Sequence, residues 1–375
     1  MSANWAINGR FLSQPLTGVQ RYAHEILAAL DTLLAENPGL LGTFNMEVLM
    51  PPGTKAPALK AISARAVGTL KGHAWEQLVL PAYARGGLIS LCNTGPVTKS
   101  HQILCIHDLN TRLYPQSYSR AFRLLYRTLT PVLVRRVAQV ATVSHYSASQ
   151  MREHGLVPAR DIAVIPNGHE HTRTWTPRHT TETLAAAGRD TIVLLGSNAA
   201  HKNIGLILGM ADRLAGEGLR IALVGSCDHK VFASQGSRGL AKNVALLGRI
   251  SDEALAALLQ DSLCLAFPSF VEGFGLPPLE AMSLGCPVVS SDRTSLPEVC
   301  GEAALYADPD DPDAWMSAFI RLAREEGLRD LMVEAGKAQS STFSWRCSAL
   351  LYLHLMAAMD SVSVSIPAIE PAAIA

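Results

Sequence analysis

The chain has 375 residues, 48% hydrophobic but only 6% aromatic, and its 32 basic and 32 acidic side chains cancel to a formal net charge of zero. That length exceeds one ordinary core and predicts two domains, and the composition excludes the fibrous and disordered classes. The zero conceals a split: residues 1–172 carry 16 basic against 9 acidic groups, a net of +7, and residues 173–375 carry 16 against 23, a net of −7. The first half is therefore expected to face an anionic partner.

Seven scattered cysteines (Cys92, Cys105, Cys227, Cys264, Cys286, Cys300 and Cys347) include no Cys-x-x-Cys pair, the pattern of a reducing cytoplasm. The opening MSANWAINGRFLSQ lacks a basic segment followed by an apolar core, and no run of about 18 apolar residues occurs, so neither secretion nor a membrane span is expected.

Short apolar runs read as strands along the chain: AINGRFL, FNMEVLM, ISLCN, QILCIHD, QVATVS and IAVIPNG in the first half, then TIVLLGS, RIALVG, NVALLG, LCLAFPS and CPVVSSD. Helix-like segments separate them, which implies βαβ units and parallel sheets. After the first run a loop leads to a helix opening at Thr17-Gly18, a turn whose backbone can lie against a phosphate or an acceptor. Arg10 and Arg21 are candidate contacts to either, and a plain surface position explains each equally well. QILCIHD ends in His107 and Asp108, where a strand exits toward the edge at which ligands of α/β folds bind.

From Leu109 to Arg152 there is no acidic residue, while Arg112, Arg120, Arg123, Arg127, Arg135, Arg136 and Arg152 all occur. Arg120, Arg123 and Arg127 share one helical face, and Phe122, Leu125, Leu129 and Val132 share the opposite one. A surface helix with its apolar side in the core explains that periodicity. The missing acids point further, to anionic lipid headgroups or the diphosphate of a polyprenyl-linked acceptor.

The pattern resets in HTRTWTPRHTTETLAAAGRD, which is polar, contains proline and has no apolar periodicity. A domain junction there gives residues 1–172 and 173–342 as two Rossmann-like α/β domains with parallel sheets facing a central cleft. Residues 343–375 hold a final helix, FSWRCSALLYLHLMAAM, expected to cross back to the N-terminal domain, and a frayed tail, SVSVSIPAIEPAAIA.

In the second half, SNAAHKNIGLIL places Lys202 at the start of a helix after a strand, where a lysine can neutralise a diphosphate leaving group. Further on, FVEGFGLPPLEAMSLGCPVVSSD sets Glu272 and Glu280 around a run of glycines and prolines. Pro277-Pro278 can only begin a helix, so Glu280 is expected in its first turn and Glu272 on the loop before it. The amides of Gly273, Phe274 and Gly275 and the positive end of the helix form an anion site. Carboxylates beside an anion site are poor phosphate ligands and better acceptors for hydroxyls. A nucleotide sugar, with phosphates in the middle and hydroxylated rings at both ends, satisfies both. Helix-dipole and loop-capping roles explain either glutamate alone, but not the GFGLPPLEAM setting between them.

These residues resemble the retaining GT-B glycosyltransferases of family GT4, whose E-x7-E motif stands in an EGFGLPxLEAM setting. The similarity continues through GCPVVSSDRTSLPEVCGEAALYADPDD, back through NVALLGRISDEALAALLQDSLCLAFPS, and more loosely over the N-terminal half. The resemblance implies a GT-B fold with an acceptor-binding first domain and a donor-binding second domain. It implies that Glu272 contacts the donor sugar near the reacting centre and that Glu280 holds the ribose hydroxyls. Amides around Phe274, Gly275 and Leu276 would bind the sugar and diphosphate, Lys202 the diphosphate, and His107 the donor sugar, with Gly18 in the N-terminal glycine loop. Where many relatives carry an arginine this chain has Ser197, and Asn198, His201 or Arg249 are the candidates to replace it.

The resemblance also implies retention of anomeric configuration and no need of a divalent metal. No Asp-x-Asp stands at a strand end and no His/Cys cluster has ligand spacing, so neither metal nor cofactor is expected. Nucleic acid is not an expected partner either. HDLNTRLYP, GSNAAHKN and FPSFVEGFGLPPLEAM look like bacterial mannosyltransferases of surface polysaccharide synthesis. The expected donor is GDP-mannose and the expected acceptor a glycan or a polyprenyl-diphosphate-linked oligosaccharide. The expected location is the cytoplasm, peripheral on the inner face of the plasma membrane. UDP-glucose, another UDP-hexose, GDP-fucose and a deoxysugar nucleotide are the alternative donors. A sugar-nucleotide epimerase, a sucrose or trehalose phosphate synthase and a non-catalytic nucleotide- or glycan-binding subunit are the alternative functions.

Overall fold

The computed structural model describes residues 3–157, 161–225 and 241–368. Cys227 and the end of the tail expected to fray, 369–375, lie outside the described residues. The chain divides into two compact units, one of Met1–Leu109, Arg120–Gly168 and Phe343–Ala375, the other of Asn110–Ser119 and His169–Thr342. Relative to the boundary read at residue 172, the second unit begins a few residues earlier and also takes in 110–119, a segment that no change of composition marks.

The first unit is built on a seven-stranded sheet of β1 (Ala3–Asn8), β2 (Phe44–Met50), β3 (Ser63–Ala66), β4 (Gly87–Ser90), β5 (Gln102–Cys105), β6 (Gln139–Thr142) and β7 (Ile162–Val164), in the order 3-2-1-4-5-6-7. All of its pairings are parallel. Strands of a parallel sheet are covered on both faces and so read as continuous apolar runs, as β4 and β5 do. β3 was not expected: its SARA sequence is exposed throughout and lies at the sheet edge.

Helix Gly18–Glu36 buries Tyr22, Ile26, Leu30 and Leu33 along one stripe. Helix Trp345–Asp360 belongs to this unit too: the Tyr352 and Tyr22 hydroxyls are 3.0 Å apart, and the Ser348 hydroxyl donates to the Pro166 carbonyl at 2.6 Å. The Asp360 carboxylate accepts from Trp5 Nε1 at 2.7 Å and pairs with His101 Nε2 at 2.7 Å.

Helix Arg120–Arg136 departs from the expectation that its apolar side enters the core. Its buried residues are Thr130, Leu133 and Val134, near its C-terminal end. Phe122, Leu124, Leu125 and Val132 are 38%, 64%, 37% and 43% exposed. The helix is anchored at one end while its first turns present apolar and cationic side chains outward.

The second unit holds β8 (Thr191–Gly196), β9 (Arg220–Gly225), β10 (Val244–Gly248), β11 (Cys264–Phe267), β12 (Val288–Ser291) and β13 (Ala304–Ala307), all parallel, in the order 10-9-8-11-12-13. β13, too, was not expected from the sequence. The core packs Ile192, Leu194, Ile207, Leu223, Trp315 and Phe319 between sheet and helices. Within this unit Tyr114 stacks on Phe270, with ring centroids 5.8 Å apart at 12°. No described helix is long and apolar enough to cross a membrane.

Asp360→Ala would remove the acceptor shared by Trp5 and His101. Charge-assisted hydrogen bonds predict a loss of about 1–3 kcal/mol in a urea unfolding titration. An unchanged midpoint would show that this carboxylate does not hold the last helix.

Candidate functional site

β8 and β11 are neighbours in the second sheet, so their carboxyl ends bring together groups 70 residues apart. Lys202 closes a 3-10 turn, Ala200–Lys202, just after β8. Its Nζ donates to Glu272 Oε1 at 2.7 Å and lies 5.3 Å from the centroid of the Phe267 ring. Glu272 is buried, but the lysine side chain keeps 27% of its surface exposed.

The loop carrying Glu272 is fixed by the residues around Ser295. The Ser295 hydroxyl donates to the carbonyls of Glu272 and Phe274 at 3.1 and 2.8 Å, and the Glu272 amide donates to Thr294 Oγ1 at 3.2 Å. Gly275 then turns the chain at φ 111°, and a Cβ there would stand 2.8 Å from Leu296 Cδ2, so this position needs glycine. Helix Leu276–Ser283 starts at the next residue.

This start corrects the expected place of Glu280, which is the fifth helical residue and not in the first turn. The cap at Gly275 sets the first turn at Leu276, ahead of the two prolines. Because Pro277 and Pro278 carry no amide hydrogen, the donors at this helix end are confined to its first residue and the loop before it. The amides of Gly275 and Leu276 make no hydrogen bond to the described residues.

Glu280 is held from a direction that no sequence motif marks. His171 Nε2 donates to Glu280 Oε1 at 2.9 Å, both side chains are buried, and the imidazole packs edge-on against Trp175 at 5.3 Å. The Thr172 and Ser283 hydroxyls, 3.0 Å apart, reinforce the same contact. His171 lies in a 3-10 turn, Glu170–Thr174, within the stretch read only as a junction.

The candidates to replace an arginine at Ser197 are placed differently. His201 is taken up by packing: its amide and Nδ1 both approach Ser117 Oγ, at 3.3 and 2.9 Å, and Tyr118 stacks on its ring. Burial, with Lys202 beside it, lowers its pKa, and Glu272 only partly offsets this. Arg249 is exposed just past β10, the edge strand, and no contact joins it to Lys202 or Glu272 among the described residues.

In the first unit, His107 follows β5 and is 6% exposed. Its amide donates to Asn93 Oδ1 at 2.7 Å, its Nε2 donates to the Leu91 carbonyl at 2.8 Å, and its ring meets Tyr22 edge-on. Burial lowers its pKa to about 4, with the Leu91 carbonyl partly opposing. The ring is therefore neutral at pH 7, with its proton on Nε2 and Nδ1 left as an acceptor. Gly18 is the first residue of its helix, and a Cβ there would meet nothing within 4 Å, so packing does not require glycine at that position.

Arg10 is buried, not a surface group. Glu76 Oε1 accepts from Arg10 Nε at 2.9 Å and from Asn8 Nδ2 at 2.8 Å, and Arg10 Nη2 donates to Thr94 Oγ1 at 2.9 Å. Burial alone would raise the Glu76 pKa, but His73, Arg10 and Asn8 together hold it below the usual carboxylate value. Glu76 had no signal in the sequence, because its partners other than His73 lie 18 to 68 residues away. Among the described residues, no group of three or more His, Cys, Asp or Glu is placed to hold a metal ion.

The His107 titration has a definite sign. Its folded value of about 4 lies below the ordinary 6.5, so between these values the unfolded chain binds the extra proton and stability falls as pH drops. The full loss is about 3 kcal/mol. His107→Gln should remove that part of the decline in unfolding free energy between pH 7 and pH 4, and parallel pH profiles for variant and wild type would refute the buried neutral imidazole.

Residues 178–339, the span containing Lys202, Arg249, Glu272 and Glu280, match the family model Glycosyl transferases group 1. The chain is 46% identical over 102 residues to O-antigen chain mannosyltransferase B of Escherichia coli, covering 27% of each protein. It is 28% identical over 222 residues to O-antigen chain mannosyltransferase RfbU of Salmonella typhimurium, covering 58% of this chain and 60% of that one. It thus spans less than two thirds of the length of these curated relatives. Sucrose-phosphate synthase from Thermosynechococcus elongatus superposes with a TM-score of 0.73 at 17% identity, over 97% of this chain and 100% of that one, a likeness of fold alone. Two α/β units on parallel sheets give this chain the GT-B architecture, and the match to the Glycosyl transferases group 1 model lies in the second of them, over residues 178–339.

Proposed function

We propose that this chain is a retaining glycosyltransferase that moves mannose from GDP-mannose to a hydroxyl of a glycan or a lipid-linked oligosaccharide in surface polysaccharide synthesis. The observation that carries this reading is the Lys202–Glu272 pair at 2.7 Å, set beside a loop with two uncommitted amides and followed by Glu280 on its helix. Mannose is favoured by the relatives named O-antigen mannosyltransferases.

In this reading the bond between the anomeric carbon and the diphosphate oxygen breaks through an oxocarbenium-like state. The acceptor oxygen bonds to the same face of the sugar, and its proton passes to an oxygen of the departing diphosphate. Lys202 exchanges part of its contact with Glu272 for the diphosphate, where charge develops, and the amides of Gly275 and Leu276 bind phosphate oxygens. Glu272 orients and electrostatically supports the sugar, and His107 Nδ1 accepts from a sugar hydroxyl. Glu280, oriented by His171, accepts from the ribose hydroxyls. The two glutamates then serve opposite ends of the donor, unlike the paired carboxylates of a retaining hydrolase.

The exposed face of helix Arg120–Arg136 is assigned to an anionic lipid surface. Arg120, Leu124 and Arg127 stand outward on one side of it, and the surrounding sequence carries no acid from Leu109 to Arg152.

A thermal-shift panel with GDP, UDP, dTDP and ADP tests the donor reading, because a ligand of the native state raises the melting point by mass action. GDP should raise it selectively, and Glu280→Ala should reduce the shift. A selective UDP response would replace the donor, and no response to any nucleotide would overturn the reading. Vesicle sedimentation tests the lipid face: binding is expected to anionic vesicles and to weaken in Arg120→Gln/Arg127→Gln. Equal binding to neutral vesicles would sink it.

A further inference from the structure

Beside the carboxyl ends of β1 and β2, the first unit holds a cavity of about 590 Å³ whose lining includes Arg10, Ser13, Thr54, Lys55, Lys71 and Gly72, and no carboxylate. We propose that this cavity is an anion subsite that takes the phosphate or diphosphate of a phosphorylated ligand. The name we give that ligand, the acceptor, rests on the glycosyltransferase reading. The anion site itself does not.

Arg10 is the fixed element. Glu76 and Thr94 take its Nε and Nη2, which lock the guanidinium plane, while Nη1 makes no hydrogen bond to the described residues. An arginine held in this way has already lost its rotamer freedom and presents its remaining donor at little further entropic expense. Glu76 neutralises the Arg10 charge from below, so the surplus comes from Lys55 and Lys71. Both are exposed, and neither forms an ion pair among the described residues. Thr54 also lines the cavity, and its Oγ1, shielded from solvent, has no hydrogen-bond partner among the described residues, which is unusual for a buried polar atom.

One rigid guanidinium and two mobile ammonium groups around a concave surface suit an anion with several oxygens, not a single carboxylate. The cavity is too large for one phosphate and leaves room for the sugar attached to it. The position follows the rule that ligands of open α/β sheets bind outside the carboxyl ends of the strands. The net +7 of residues 1–172 adds long-range attraction for such a ligand.

Inorganic pyrophosphate, titrated by calorimetry at fixed ionic strength, tests the site directly. Lys202→Gln serves as the background, so that the second unit's diphosphate contact does not mask the signal. Adding Lys55→Gln and Lys71→Gln is expected to weaken binding at least about tenfold, since a charge-assisted hydrogen bond is worth that much. Unliganded melting points of the two proteins should match, because both lysines are exposed. Equal affinities would overturn the subsite. Competition then separates the ligand's source: a short-chain prenyl diphosphate sugar that displaces pyrophosphate when a sugar 1-phosphate does not supports a lipid-linked ligand, and displacement by both supports a soluble one. Failure of this titration with an intact GDP shift would remove the subsite alone, whereas a retained subsite with no nucleotide response would remove the glycosyltransferase reading and leave an anion site.

Discussion

The pairing of β8 with β11 is the constraint on which the candidate site depends. Its parallel register, Cys264 to Ile192 through Ala266 to Leu194, aligns the carboxyl ends of two strands far apart in sequence. Lys202 and Glu272 leave those two ends and meet at 2.7 Å. A one-residue slip would exchange the two faces of β11 and carry Glu272 with it, and the close packing on both sides of this fully buried strand resists such a slip.

Buried charge explains how the rest of the polar architecture is organised. A carboxylate withdrawn from water is tolerated only when it is paired and hydrogen-bonded. Glu76 has Arg10, Glu272 has Lys202, and Glu280 has His171. The three pairs differ in freedom. Arg10 and Glu76 are almost fully enclosed, which suits a fixed scaffold, whereas Lys202 keeps a quarter of its surface open, 27%, and is accessible to a second anion while it stays beside Glu272.

Much of this was legible in the sequence because it is local. Strands covered on both faces announce themselves as apolar runs, and the glycine–proline passage from β11 into its helix fixes the Glu272 loop. β3 was hidden because an exposed edge strand such as SARA needs no apolar pattern, and β13 because only the two alanines of ALYA are buried, at an edge of the second sheet. His171 and Glu76 were hidden for another reason: their partners are 109 and 66 residues away, and no spacing rule links them. In helix Arg120–Arg136 the periodicity showed which residues share a face. It does not say whether another element covers that face, and the outward Phe122, Leu125 and Val132 are the result.

Transfer itself is the most direct measurement: radiolabelled GDP-mannose is incubated with a polyprenyl-diphosphate-linked glycan, and the product is analysed for its anomeric configuration. The wild-type protein should yield a mannosylated product that keeps the donor's configuration, and Glu272→Ala should lower turnover by about a hundredfold or more while still binding GDP. Absence of transfer from every sugar nucleotide by the folded protein, or undiminished turnover in Glu272→Ala, would contradict the role assigned to the Lys202–Glu272 pair.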